Sequence, residues 1–241
     1  MIDATYVDHM GSDLSVVNAA RVSFGKKSEA IEWQYLDLGH VSGDLVPVLK
    51  EGDVKLIKYL AEHGHYSPFG HCFATFHVKA PIFVARQLVK HEYLRWNEVS
   101  RRYVDDEPEF YVPKVWRGRS ADKKQGSDGV VELGFFSDKG GRFEGYFGES
   151  TLAEAEREHR ESSLNLYDGL IRAGVAPEQA RMVLPQSTMT EWYWSGSLDA
   201  FANMCKLRLK PDTQFETRLV ANAISIDMNK IFPISWEALV K

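Results

Sequence analysis

The most regular hydrophobic signal lies in residues 53–63, where Val54, Leu56, Ile57 and Leu60 fall on one helical face and Gly64 follows as a terminator. From 71 to 78 the period shortens to two: Cys72, Ala74, Phe76 and Val78 point one way and His71, Phe73, Thr75 and His77 the other. Such alternation predicts a strand with one buried face. Pro81 suits the first turn of a following helix that runs to about residue 89, with Arg86, Gln87 and Lys90 near its end. Thr151 and Glu154 form a capping box at the start of a helix expected to reach residue 172, with Gly174 as its stop. Pro177 opens a short helix ending near Pro185, residues 190–194 read as a strand, and 198–207 and 212–232 as helices. The class predicted is mixed α/β. Residues 25–53 and 114–150 mix charge and glycine without a sustained period and read as irregular surface insertions or lids. With no internal repeat, residues 1–241 form one domain carrying those two insertions.

Composition narrows the possibilities. A content of 44% hydrophobic and 26% charged residues is that of an ordinary folded domain, far from the signature of disorder. The net charge of -5 gives no general pull toward nucleic acid or an anionic membrane, so any anion site must be local. The two cysteines, Cys72 and Cys205, have no paired spacing, which argues against a disulfide framework or thiolate metal site and suits a reducing compartment. Cys72 belongs to the buried side of the alternating strand and reads as a core residue, not a nucleophile. Residues 1–11 lack a basic stretch followed by an apolar one, and no run approaches the ~18 apolar residues of a membrane span. The expectation is a cytoplasmic protein.

Against this neutral background, residues 86–103 are chemically dense, with cations, amides, hydroxyls and aromatics interleaved. Arginine forks suit phosphate, amides suit a uracil-like ring, and His, Tyr or Trp can stack on a flat ring system. Composition alone equally allows a solvated face or an ion-pair surface. His63, His65, His71 and His77 raise a separate possibility, a zinc site, but their spacing fits no compact ligand motif.

The dense run resembles the signature of flavin-dependent thymidylate synthases, an arginine-histidine-arginine triplet followed after seven residues by serine; His91 and Ser100 occupy the matching positions. Asn97-Glu98, Ser100 and Arg102-Tyr103 extend the match, as does Glu109-Phe110-Tyr111-Val112-Pro113. Further similarities follow in order: Asp13-Leu14-Ser15, Ala19-Ala20-Arg21-Val22-Ser23-Phe24, His63-Gly64-His65-Tyr66-Ser67-Pro68-Phe69, residues 76–87, Arg181-Met182-Val183-Leu184-Pro185 and residues 203–214. Only 25–53 and 114–150 match poorly.

The resemblance implies an α/β (α+β) fold, a mixed sheet with long helices, assembled as a homotetramer whose active sites are shared between subunits. It implies conversion of dUMP to dTMP, with methylenetetrahydrofolate as one-carbon donor and NADPH-reduced FAD as hydride source. By motif position the dUMP set is Gln87, Leu88, Val89, Lys90, Glu98, Val99, Ser100, Arg101, Arg102, Arg181 and Arg208. Arg208 is the catalytic candidate, matching an arginine that stabilises negative charge at the pyrimidine N3. The FAD set is His65, Ser67, Lys90, His91, Glu92, Glu98, Ser197, Asp199 and Asn203; no metal is implied. The triplet itself departs from the pattern, because Lys90-His91-Glu92 replaces one arginine by a point charge and reverses the sign of the other. Asp199 and Asp212 also stand where basic residues are common, and Arg95 is placed to compensate for Glu92. These departures keep two alternatives open: a C5 hydroxymethylase acting on dUMP or dCMP, and a non-catalytic nucleotide-binding relative.

Overall fold

The computed structural model describes residues 1–37, 42–104, 106–121, 126–133 and 151–241. In chain order these contain β1 (Asp3–Met10), α1 (Asp13–Arg21), β2 (Glu32–Asp37), β3 (Ser42–Val48), α2 (Glu51–Glu62), β4 (Phe73–Pro81), α3 (Ile82–Leu88) and β5 (Leu94–Glu98). There follow β6 (Arg117–Arg119), β7 (Ser127–Val130), α4 (Leu152–Arg172), α5 (Pro177–Ala180), β8 (Met189–Ser197), α6 (Leu198–Arg208), α7 (Phe215–Ile231) and α8 (Pro233–Val240).

The frame is an antiparallel sheet in the order β1-β4-β8-β5. Its centre is the nine-residue pairing of β4 with β8, from Phe73 opposite Ser197 to Pro81 opposite Met189. The alternation expected for β4 is observed: Ala74, Phe76 and Val78 are buried on the face that also carries Trp192 and Trp194 of β8. Helices α6 and α7 pack on this face. Val220, Ala221, Ile224, Met228 and Ile231 make the buried stripe of α7 at helical spacing. Phe201 of α6 meets Phe76 and Trp194 edge-on, at centroid distances of 5.4 and 5.6 Å. The opposite face is polar and partly exposed, with Thr75 bonded to Ser195 at 3.0 Å, His77 to Glu191 at 3.0 Å, and Lys79 to Glu109 at 2.9 Å.

The capping box of α4 is present, Thr151 N–H donating to Glu154 at 2.8 Å and Glu154 N–H to Thr151 at 3.3 Å. Elsewhere the expected elements need correction. Pro81 is the last residue of β4 and the N-cap of α3, with an extended ψ of 155°, not a residue of the first helical turn. Residues 25–53 are not wholly an irregular insertion: β2 and β3 form a hairpin, and one charge at its end, Asp53, is turned inward while Lys26, Lys27, Glu29 and Glu32 stay exposed. Asp53 is buried and accepts from Arg21 at 3.0 Å and Ser28 at 3.0 Å, joining α1 and α2. In 114–150 the described residues form the β6–β7 hairpin, while 122–125 and 134–150 lie outside the described residues. The helix expected over 177–185 is only α5, followed by a 3-10 turn at Arg181–Val183. The helix expected over 212–232 is observed as α7, and Pro233 opens a further helix, α8, beyond it. Buried Asp13 caps that helix, accepting from Ile234 N–H and Ser235 N–H at 2.9 Å each.

Candidate active site

Two sets of side chains leave α3 in different directions. Ile82, Arg86 and Val89, spaced three and four apart, face a cavity of about 550 Å³ that also receives Glu98, Ser100, Arg102 and Arg181. Phe83 and Gln87 face a second cavity, of about 580 Å³, lined also by Tyr111, Trp116, Arg208 and Gln214. The expected dUMP set is therefore divided between the two faces of one short helix.

On the first face, β5 delivers Glu98 and the turn after it delivers Ser100 and Arg102. Glu98 is held at both oxygens, by Trp96 Nε1–H at 3.0 Å and Thr190 Oγ–H at 2.8 Å. Trp96 itself stacks on Trp192 at 4.2 Å, which fixes the register of this edge. Arg102 Nε donates to Ser100 Oγ at 3.2 Å, and Arg181 Nε donates to the Glu178 carbonyl at 3.2 Å. Among the described residues, none of Arg86, Arg102 and Arg181 meets a carboxylate. Three guanidinium groups without an ion-pair partner outnumber the one carboxylate, Glu98, on this cavity, an arrangement suited to an anion. Arg101 does not join it: its guanidinium donates to the Asp106 carbonyl at 2.8 Å and lines an adjoining, carboxylate-rich hollow. Leu88 is buried and Lys90 exposed, so neither side chain reaches this cavity, whereas Val89 and Val99 line it.

On the second face Arg208, at the end of α6, donates from Nε to His91 Nε2 at 2.9 Å and from Nη2 to the Gln87 carbonyl at 3.3 Å. Arginine cannot accept, so His91 presents a lone pair at Nε2 and carries its proton on Nδ1. Burial and the adjacent Arg208 charge push the imidazole down to about 4, keeping it neutral near pH 7. Gln87 is locked as well: its Oε1 accepts from Thr217 at 2.8 Å and its Nε2 donates to Gln214 Oε1. Each half of that amide keeps one further bonding capacity, an N–H and a lone pair, for a ligand.

The flavin candidates gather at the far end of β8. Ser197 is the N-cap of α6, Asp199 and Asn203 follow at i,i+4 spacing, and the turn carrying His65 and Ser67 follows α2. Leu94 pairs with Gly196, so β5 starts beside Ser197 and brings Lys90, His91 and Glu92 toward that end. The approach requires glycine, because a Cβ at Gly196 would lie 2.9 Å from the Tyr93 carbonyl, and Tyr93 already holds a left-handed φ of 61°. His65, Ser67, Lys90, Glu92 and Asn203 are exposed. Hydroxyl, amide, ammonium and neutral imidazole donors suit the ring heteroatoms and hydroxyls of a flavin nucleotide, and a buried Asp199 Oδ1 has no donor among the described residues. The set fits FAD chemically, with Lys90 as its one permanent cation. Arg95 is exposed on β5 opposite Ser195 and forms no ion pair with Glu92.

The histidines considered for zinc go to separate tasks: His63 bonds the Tyr59 carbonyl at 2.9 Å, His77 pairs with Glu191, and no metal-holding group of three His, Cys, Asp or Glu residues occurs among the described residues. No described helix is long and apolar enough to cross a membrane. Arg86, Gln214, Thr217 and Glu216 are site neighbours that motif reading left without a role. Only the spacing of Arg86 from Ile82 and Val89 signals its direction.

The family described as "Thymidylate synthase complementing protein" matches residues 5–234. The chain belongs to the flavin-dependent thymidylate synthase family. The enzyme of that name from Kosmotoga olearia is 38% identical over 234 residues, covering 97% of this chain and 88% of the relative. The Thermus thermophilus enzyme is 36% identical over 232 residues, covering 96% of this chain and 73% of its own length. Among solved structures, the UMP/dUMP methylase PolB from Streptomyces cacaoi, bound with 5-Br dUMP, aligns with a TM-score of 0.74 at 30% identity over 99% of this chain and 94% of that one. As a flavin-dependent thymidylate synthase family member the chain has its mixed α/β architecture organised around the antiparallel sheet described above.

Proposed function

We propose that this protein is a cytoplasmic flavin-dependent thymidylate synthase that converts dUMP to dTMP, using methylenetetrahydrofolate and NADPH, in a homotetramer whose nucleotide sites span two copies. The observation that carries the proposal is the division of its basic residues by α3. Arg86, Arg102 and Arg181 offer an excess of positive charge over Glu98 to a phosphate on one face, while Gln87 and Arg208 offer an amide edge and a guanidinium to a pyrimidine on the other. A single nucleotide meets both sets when the phosphate face of one copy adjoins the base face of another.

His65, Ser67, Lys90, His91, Glu92, Ser197, Asp199 and Asn203 are the residues that would hold FAD, with Glu98 shared at the nucleotide boundary. FAD held there and reduced by NADPH would supply the hydride equivalent for the methyl group. The chain's own groups prepare the pyrimidine. Arg208, held by a neutral His91 and the Gln87 carbonyl, keeps a fixed positive charge where the imide gains negative charge, which raises the nucleophilicity of C5. An enzyme thiolate has no part in this scheme. Cys72 is pushed up to about 12 by burial and by the Asp13 carboxylate, and burial raises Cys205 further.

The test is to incubate purified holoenzyme with dUMP, methylenetetrahydrofolate and NADPH and identify the product by mass. dTMP is expected. Hydroxymethyl-dUMP, or turnover of dCMP in preference to dUMP, would overturn the reading. A parallel incubation with UMP reads whether a ribose 2′-hydroxyl is accepted, as the name of the Streptomyces methylase states for that protein.

A further inference from the structure

The β6–β7 hairpin lies in the stretch that matched the family poorly, yet it is fastened to the base end of the site. Arg117 donates from Nη2 to Glu216 Oε1 at 2.5 Å and from Nε to Ser127 Oγ at 2.9 Å, and its guanidinium lies 4.6 Å from the centre of the Phe215 ring. Gly126, at φ +86°, rests against the α6–α7 connection so closely that a Cβ there would be 2.5 Å from the Asp212 carbonyl oxygen. Glu216 is almost wholly buried, its side chain 4% exposed. Burial pushes its carboxyl up, but Arg117 and the hydrogen bonds it accepts outweigh that and hold it below the usual range.

An ionised carboxylate can only accept, and this dictates the direction of every bond beyond it. Glu216 Oε2 requires the amide N–H of Gln214, which donates at 3.4 Å. The Gln214 carbonyl therefore faces Gln87, so Gln87 turns its NH2 to Gln214 and its oxygen to Thr217. Were Glu216 protonated, as a carboxyl this buried would tend to be without Arg117, it could donate and both amides could reverse. Reversal would matter because uracil presents an N–H beside a carbonyl, whereas cytosine presents a ring nitrogen beside an amine.

We propose that Arg117 is a remote specificity determinant: through its ion pair with Glu216 it sets the polarity of Gln214 and Gln87, and thereby selects uracil over cytosine at the base end of the site. The inference rests on the reading of Gln87 as a base contact. Arg117 acts through other residues and is a positioning residue.

Calorimetric titration of the flavin-loaded full-length protein with dUMP and with dCMP tests it. In wild type dUMP binds more tightly. In Arg117→Met the preference for dUMP over dCMP falls about tenfold, which corresponds to roughly one hydrogen bond's discrimination. Arg117→Lys, which retains the charge, recovers most of the preference, and Glu216→Gln, which retains volume and the hairpin arginine, loses it. Both readouts are needed, since a merely structural role would be rescued by neither charge nor polarity. Unchanged preference in Arg117→Met and Glu216→Gln, with wild type still favouring dUMP, would overturn the relay alone. Wild type that binds neither nucleotide would instead overturn the functional reading.

Discussion

The two faces of α3 solve opposite problems. On the base face every polar group of Gln87 and His91 that meets the protein has a partner, and Arg208 is aimed by two acceptors. On the phosphate face Arg86, Arg102 and Arg181 line one cavity and, among the described residues, form no ion pair, the Glu98 carboxylate there being held instead by Trp96 and Thr190. One half is built for orientation and the other for charge. Orientation must exist before the ligand arrives if it is to act on a transition state, whereas phosphate supplies its own counter-charge and needs only to be met. The contrast predicts that the two faces fail in different kinetic parameters.

The largest effect should follow Arg208→Ala. Loss of a preorganised charge at the imide should lower kcat by about 10²–10³-fold with dUMP affinity changed far less. Equal losses in kcat and affinity would erase the distinction between the faces. Next in size, Arg102→Ala or Arg181→Ala should weaken dUMP binding by about 10–100-fold while kcat at saturation stays near wild type. Salt should matter more here, so raising ionic strength should narrow the gap between wild type and Arg102→Ala. A kcat defect insensitive to salt would contradict the charge-only role.

The smallest effect is in stability against pH. The folded-state value of His91, about 4, lies below the unfolded value near 6.5. Above pH 6.5 neither state binds the proton; between 6.5 and 4 only the unfolded chain does, so this group reduces stability as the pH falls through that window. Chemical denaturation of His91→Gln should show a shallower loss over the same range. An identical slope would mean that the imidazole is not held neutral by burial and the Arg208 charge.

Much of this contrast could be read before the fold was known, and the reasons it was incomplete are physical. The alternation around Phe76 and the Thr151–Glu154 box are local, and local periodicity reports local structure. Ser100, Arg102, Arg181 and Arg208 were legible because motif resemblance carries residue identity. It does not carry direction: Arg101 and Arg102 are neighbours in sequence, yet one turns to Asp106 and the other to the anion cavity. Distant pairings left no signal at all. Asp53 closes a stretch whose mixed charge reads as surface, although Arg21, 32 residues away, draws it inside. Arg117 lay in a stretch without period or resemblance, and its partner Glu216 is 99 residues further on. The β2–β3 hairpin was missed because its strands bury one another only in part, leaving Trp33 and Tyr35 exposed and the two-residue alternation blurred.

The central claim is that a nucleotide site takes its phosphate face from one copy and its base face from another. Co-expression of Arg208→Ala with Arg102→Ala tests it directly, because each variant lacks a different half. Assayed at dUMP too dilute to saturate Arg102→Ala, random assembly should restore about a quarter of the sites, raising activity well above that of either variant alone. Activity no greater than the sum of the separately expressed variants, in confirmed mixed oligomers, would contradict a shared site.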